Sequence, residues 1–166
     1  MSARSSVTSE GALRSVRRRH LLMLSFGLGS ALALTVVRAD AQSTPETGQQ
    51  IALITGSTSG LGRELALRLG AMGTHVIVHG RNRERGMAVV GEIEEAGGSA
   101  RFYAADLASL EQVREFGATI LSDYDELDLL INNAGIAFAQ VRSVSEDGHE
   151  LHFQVNYLSH FLLTQM

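Results

Sequence analysis

The sequence predicts a doubly wound parallel α/β sheet, on three observations. From residue 51 onward, short apolar runs alternate with amphipathic helical patterns in the order βαβαβαβα. The first apolar run, Ile51-Ala52-Leu53-Ile54, enters a turn with three glycines, Thr55-Gly56-Ser57-Thr58-Ser59-Gly60-Leu61-Gly62. A helical pattern follows that turn at once, so strand, glycine turn and helix are contiguous.

Each element has its own signal. Leu61, Leu65, Leu69 and Met72 recur at helical spacing and predict the buried stripe of the first helix. Thr74 to His79 reads as the second strand, and Gly80-Arg81-Asn82 turns the chain. Glu84 to Ala96 carries Met87, Val90 and Ile93 three apart among charges, an amphipathic helix stopped by Gly97-Gly98. Ala100 to Ala104 is the third strand, ending towards Asp106. Ser109-Leu110-Glu111-Gln112 fits a capping box, and Leu110, Val113, Phe116 and Ile120 continue that helix. Leu127 to Ile131 is the fourth strand and runs into Asn132-Asn133-Ala134-Gly135. Ser145 to Met166 reads as one long final helix with Leu151, Val155, Leu158 and Leu162 as its stripe. Right-handed crossovers make this about four strands with flanking helices, an incomplete Rossmann-type sheet.

Composition narrows the function classes. The chain has 166 residues, 45% of them apolar, enough for one modest core. With no cysteine, disulfides, thiolate nucleophiles and thiolate metal sites are excluded. All 14 basic residues are arginine. Residues 1–41 carry six arginines and two acids, whereas residues 42–166 carry eight arginines and 16 acids. The body is therefore acidic, which argues against nucleic acid as a partner.

Residues 1–41 read as an export signal. Arg17, Arg18 and Arg19 precede an apolar run from Leu21 to Val37, and Ala39-Asp40-Ala41 fits a small-residue cleavage site. Arg18-Arg19-His20-Leu21-Leu22 also resembles a twin-arginine signal. Gly27, Gly29, Ser25 and Ser30 keep the run only moderately apolar. The expectation is a periplasmic or secreted protein cut after Ala41. The competing reading is an uncleaved anchor or a cytoplasmic enzyme, since 17 residues are at the short limit for a span. Gln42 to Gln50 is polar, holds the only proline, Pro45, and reads as a linker; residues 51–166 are the folded domain.

The glycine turn carries the chemistry. Its backbone can approach a phosphate closely, and it aims the free N–H groups of the next helix at the anion, so it predicts dinucleotide binding. A carboxylate about 20 residues further on would bond the ribose 2′-hydroxyl of NAD. Gly80 occupies that place and Arg81 follows it. A guanidinium grips a 2′-phosphate where an acid would repel it, so Arg81 predicts NADP over NAD. The competing reading of Arg81 is a solvated turn residue.

Thr55-Gly56-x-x-x-Gly60-x-Gly62 together with Asn132-Asn133-Ala134-Gly135, about 70 residues apart, resembles the short-chain dehydrogenase/reductase family. Asp106-Leu107 matches that family's adenine-contacting acidic position. Glu146-Asp147-Gly148-x-Glu150, followed by Val155-Asn156-x-Leu158-x-His160-Phe161-Leu162-Leu163-Thr164, is similar to its retinol-dehydrogenase-like branch. The resemblance covers about residues 50–166. It implies that Gly56, Ser57, Ser59, Gly60, Leu61, Gly62, Arg81, Asp106, Leu107, Asn133, Ala134 and Gly135 bind the cofactor. It implies that Asn156 belongs to the catalytic set. It also implies hydride transfer between NADP and a small-molecule carbonyl or alcohol, and a homo-oligomer in the full-length form.

One departure stands out. The family's proton donor is the tyrosine of a Tyr-x-x-x-Lys pair, whose lysine lowers the tyrosine pKa. This chain has no lysine, and Tyr103, Tyr124 and Tyr157 are followed four residues later by Leu107, Asp128 and Phe161. The expectation is the N-terminal portion of a longer enzyme or the product of an early stop. The alternative function is an NADP-binding module, or a non-functional fragment, without turnover. No metal site is expected. His149-Glu150-Leu151-His152 brings its second histidine one position early for a zinc helix. Asp123, Asp125, Glu126 and Asp128 lack the spacing of a calcium loop and read as a solvated helix end. His160 reads as a packing residue.

Overall fold

The computed structural model describes residues 42–137 and 142–166; the export-signal reading of residues 1–41 lies outside these described residues. Strand β1 (Ile51–Ile54) lies between β2 (His75–Gly80) and β4 (Leu129–Ile131), with β3 (Ser99–Ala104) beyond β2. All three pairings are parallel, and Leu53 stands opposite both Ile77 and Leu130. Parallel neighbours need long crossovers. Helices α1 (Gly60–Ala71), α2 (Arg83–Glu95) and α3 (Leu110–Asp123) supply them. The chain winds outward from β1 to β3, then returns to the other side of β1. That reversal opens a crevice at the C-terminal ends of β1 and β4.

The period-2 alternation of the strands divides the core between two faces. Ile54, Val76 and Val78 face α1 and α2, where Ala66, Val89, Val90 and Ile93 meet them. Leu53 and Ile77 face the opposite way, onto Val113, Phe116 and Ile120 of α3 and onto Val155 and Leu163. Both faces of the sheet are thus covered, as the continuous apolar runs require.

Helix α1 buries a different stripe from the expected one. Leu61 and Met72 are 77% and 79% exposed, and Leu65 and Leu69 are half-buried. The buried residues are Gly62, Ala66 and Gly70. A Cβ at Gly62 would lie 2.5 Å from the Gly56 carbonyl oxygen, and one at Gly70 would lie 2.6 Å from Ile93 Cγ2. The backbone approaches the turn and α2 too closely for leucine, so small size selects the inner face rather than apolarity.

The helix caps were partly legible. Asn82 Oδ1 accepts the Arg85 N–H at 2.8 Å and starts α2. Ser109 Oγ accepts the Gln112 N–H at 3.4 Å, but the reciprocal half of the capping box is not formed. Gln112 Oε1 takes the Asp106 N–H instead, at 3.0 Å, because the Ser109 N–H already donates to the Asp106 carbonyl.

The final helix is shorter than expected. Residues 145–150 form a tight turn, with Val144 bridging Glu150 antiparallel and Gly148 N–H donating to the Ser145 carbonyl at 3.1 Å. Glu150 then caps, accepting the His152 and Phe153 N–H groups at 3.1 and 2.8 Å. Helix α4 (Leu151–Phe153) continues into a π-helical turn (Gln154–Leu158) and α5 (Ser159–Thr164). The wider turn shifts the inner face, so that Val155, Ser159 and Leu163 are buried while Leu158 and Leu162 are only half-buried.

Two polar stretches do more than expected. In the segment read as linker, Ser43 Oγ accepts the Ala100 N–H at 2.8 Å and donates to the Ala100 carbonyl at 3.0 Å, satisfying Ala100 on the free edge of β3. In the acidic cluster, Asp123 accepts from Tyr103 at 2.7 Å and pairs with Arg101 at 3.2 Å, and Asp128 accepts the Ile51 N–H at 2.7 Å. No helix among the described residues is long and apolar enough to cross a membrane.

Candidate active site: a nucleotide cleft

A cleft of about 390 Å³ opens where the strands end. Its first wall is the turn after β1. Gly56 adopts φ +66, a left-handed conformation that side-chain-bearing residues rarely accept. Ser59 precedes α1 and its side chain makes no cap, so it leaves the N–H groups of the first turn uncovered. Such a helix start suits an anion.

Of the residues expected to bind cofactor, Gly56, Ser59, Leu61, Gly62, Arg81, Asp106, Leu107, Asn133, Ala134 and Gly135 line this cleft. Gly60 lies in the turn with open space beside it and is not part of the lining. Ser57 is fully buried: its Oγ donates to the Ile54 carbonyl at 2.8 Å and accepts the His79 N–H at 2.9 Å. That hydroxyl joins β1 to β2 and faces the core instead of the cleft. Asn156 does not line the cleft either. Its side chain clamps Ile136, accepting the N–H at 2.8 Å and donating to the carbonyl at 3.0 Å. Tyr157 stands on the outer side of the helix, 57% exposed and stacked between Phe153 and Phe161.

The loop after β4 forms the second wall, and Thr55 holds it. Thr55 Oγ1 accepts the Asn133 and Ala134 N–H groups at 2.9 and 3.0 Å. Asn133 Nδ2 returns bonds to the carbonyls of Thr55 and Gly56 at 2.9 and 3.3 Å. Asn133 therefore fastens the two walls together as well as lining the space between them.

Arg81 and Asp106 stand on the rim, with Nη1 to Oδ2 at 3.5 Å. The Arg81 side chain is 70% exposed, so this contact costs little to break and leaves the guanidinium available to a ligand. Asp106 Oδ1 also accepts the Ala108 N–H at 3.0 Å.

Thr55, Thr58 and His79 are among the participants that sequence reasoning missed. The Thr55 hydroxyl was legible only as part of a motif. Thr58 lines the cleft, where a Cβ at Gly80 would lie 2.6 Å from its Cγ2. His79, next to last in β2, lines the cleft at 2% exposure, its Nδ1 accepting the Gly56 N–H at 3.1 Å and its ring 4.7 Å from that of Phe116. Burial holds its pKa down at about 4, against weaker opposing pulls from the Ala105 backbone and the Asp106 carboxylate. Nε2 makes no hydrogen bond of normal geometry among the described residues. A histidine at the C-terminal end of a fully buried strand was the available signal.

Comparison with known proteins fits this geometry. A family model described as short chain dehydrogenase matches residues 50–166. A polyprenol dehydrogenase of Danio rerio is 42% identical over 124 residues, covering 74% of this chain and 38% of that protein. Human retinol dehydrogenase 13 is 35% identical over 156 residues, 89% of this chain and 46% of its own length. The crystal structure of a metagenomic short-chain oxidoreductase in complex with NADP superposes with a TM-score of 0.63 at 30% identity, over 70% of this chain and 53% of the other. The chain thus spans less than half the length of these two curated relatives.

Proposed function

This chain belongs to the short-chain dehydrogenase family, and from that premise we propose that the whole protein is an NADP-dependent oxidoreductase acting on a small-molecule carbonyl or alcohol. One observation carries the reading: the turn after β1 and the loop from Asn133 to Gly135, in contact at Gly56 and Ala134, line one cleft with Arg81 on its rim. The residues fit a dinucleotide. The Ser59 side chain leaves the start of α1 uncapped, and its N–H groups are offered to a phosphate. Arg81 would hold the 2′-phosphate, and Asp106 with Leu107 would flank the adenine. Bound NADP would supply or receive the hydride. The protein's part within these residues is to bind the dinucleotide and fix its orientation.

The test is titration of the full 166-residue chain with NADPH and with NADH, followed by nucleotide fluorescence. Saturable binding with NADPH preferred is expected, and no binding of either nucleotide overturns the reading. A second reading, NADP held without turnover, is favoured by the absence of lysine from these residues. NADPH oxidation by this chain in the presence of a carbonyl panel would rule it out. Export through a twin-arginine route and a homo-oligomeric assembly are further proposals, supported by the order of signals in residues 1–41 and by the family resemblance respectively.

A further inference from the structure

The partners of Thr55 and His160 fix the direction of a chain of hydrogen bonds. Thr55 Oγ1 receives the Ala134 N–H at 3.0 Å and a share of the Asn133 N–H, which is split between Oγ1 at 2.9 Å and the Ile131 carbonyl at 3.0 Å. One hydrogen remains for it to give. The Ile131 carbonyl is 3.3 Å away and already accepts the Thr55 N–H at 3.0 Å and the other share of the Asn133 N–H. His160 Nε2 is nearer, at 2.9 Å. The other ring nitrogen decides the direction: Nδ1 faces a carbonyl, which can only accept, so in the neutral ring Nε2 is bare and takes the Thr55 hydrogen. A neutral imidazole with bare Nε2 carries its proton on Nδ1. Nδ1 lies 3.3 Å from the Asn156 carbonyl oxygen, so it donates there. His160 is 6% exposed, and burial lowers its pKa, in keeping with a neutral ring.

Asn156 closes the circuit, since its side chain clamps both backbone groups of Ile136. The cleft wall from Asn133 to Ile136 is therefore held at its start by Thr55 and at its end by Asn156. His160 joins the two holders across the π-helical turn.

We propose that His160 is a positioning residue for the cleft: in its neutral Nδ1–H form it sets Thr55 relative to Asn156, and so places the wall between Asn133 and Ile136. Its effect on ligand affinity rests on the nucleotide reading above; its protonation form does not.

Two measurements on the full 166-residue chain test this. Nitrogen-edited NMR of the histidine rings at neutral pH, assigned through bonds, is expected to show His160 protonated on Nδ1 and bare on Nε2. A proton on Nε2, or on both nitrogens, overturns the proposal. The second measurement is NADPH affinity of His160 variants. His160→Leu fills the space without either bond and is expected to weaken binding about tenfold, the loss of two ordinary hydrogen bonds. His160→Gln can still accept from Thr55 and is expected to recover to within about threefold of the parent chain. Leu binding NADPH as tightly as the parent means that packing alone is required, and the proposal fails. Should the Leu variant not fold, a Gln variant no better than His160→Ala overturns it equally. If the parent chain binds no NADPH, the nucleotide reading falls and the ring protonation alone judges His160.

Discussion

Gly56 presses against Ala134: a Cβ on Gly56 would lie 2.8 Å from the Ala134 Cα, closer than two carbons can pack. The turn after β1 and the loop after β4 meet backbone to backbone at this point. Gly56→Ala adds both this clash and the strain of φ +66. It is expected to abolish measurable NADPH binding and lower the melting temperature. Gly91→Ala is the control, since its position in α2 has open space and an interior-helix glycine costs about 0.5–1 kcal/mol relative to alanine. That control should bind nucleotide normally and melt no lower. Equal behaviour of the two variants would mean that the walls are not in contact.

The role proposed for Arg81 is to tell NADPH from NADH. Arg81→Ala should weaken NADPH far more than NADH, by roughly tenfold to over a hundredfold, the range for a charge-assisted contact of about 1.5–3 kcal/mol. Titration with both nucleotides decides it. Equal loss for the two would make Arg81 a support for the turn.

Acid should destabilise the fold over a defined window. Burial lowers the pKa of His75 and His79 to about 4, and that of His160 in the same direction. For His75 the Arg101 charge adds to burial. Between about 6.5, the value of the unfolded rings, and about 4, the unfolded chain binds more protons than the folded one. Stability therefore falls as pH drops through that window and levels off below it with respect to these rings. Each ring contributes a slope of up to about 1.4 kcal/mol per pH unit. Chemical denaturation at pH 7, 6 and 5 measures this. His79→Asn should flatten the slope, and an unchanged slope would remove His79 from the account.

The inner face of α1 can be tested directly. Leu61→Ser and Met72→Ser touch exposed positions and should change stability by less than about 0.5 kcal/mol. Ala66→Leu overfills a fully buried site and should cost about 1–3 kcal/mol. The reverse ranking in denaturant midpoints would restore the leucine stripe as the buried face.

Localisation is tested by Arg18→Lys, Arg19→Lys with fractionation of bacterial cells. Loss of export in the double variant is the expected outcome. A product still exported and beginning at Gln42 would leave a general secretory signal as the reading. Lack of cutting and export in both forms would leave an anchor or a cytoplasmic enzyme.

Local patterns determined much of this protein from sequence alone. Ile51 to Ile54, a turn with glycine at its left-handed positions 56 and 60, and an immediate helical period specify strand, turn and helix, because each signal lies within a few residues of chain. The place of Arg81 at the cleft was legible from its spacing, since about 20 residues after the glycine turn the chain reaches the end of β2. Only the tertiary structure decided which way each side chain faces. Ser57 turns to the core because β2 offers its Oγ a backbone N–H, and Gly62 with Gly70 displaces the leucines because α1 lies too close to the Gly56 turn and to α2 for anything larger. The final helix begins at Leu151 because the Glu150 carboxylate and the bridge to Val144 stop it there. The circuit through Thr55, His160 and Asn156 joins residues about a hundred positions apart. No periodicity reaches that far; such a contact exists only once parallel strands and their crossovers have brought the ends of β1, β4 and the last helix to one place.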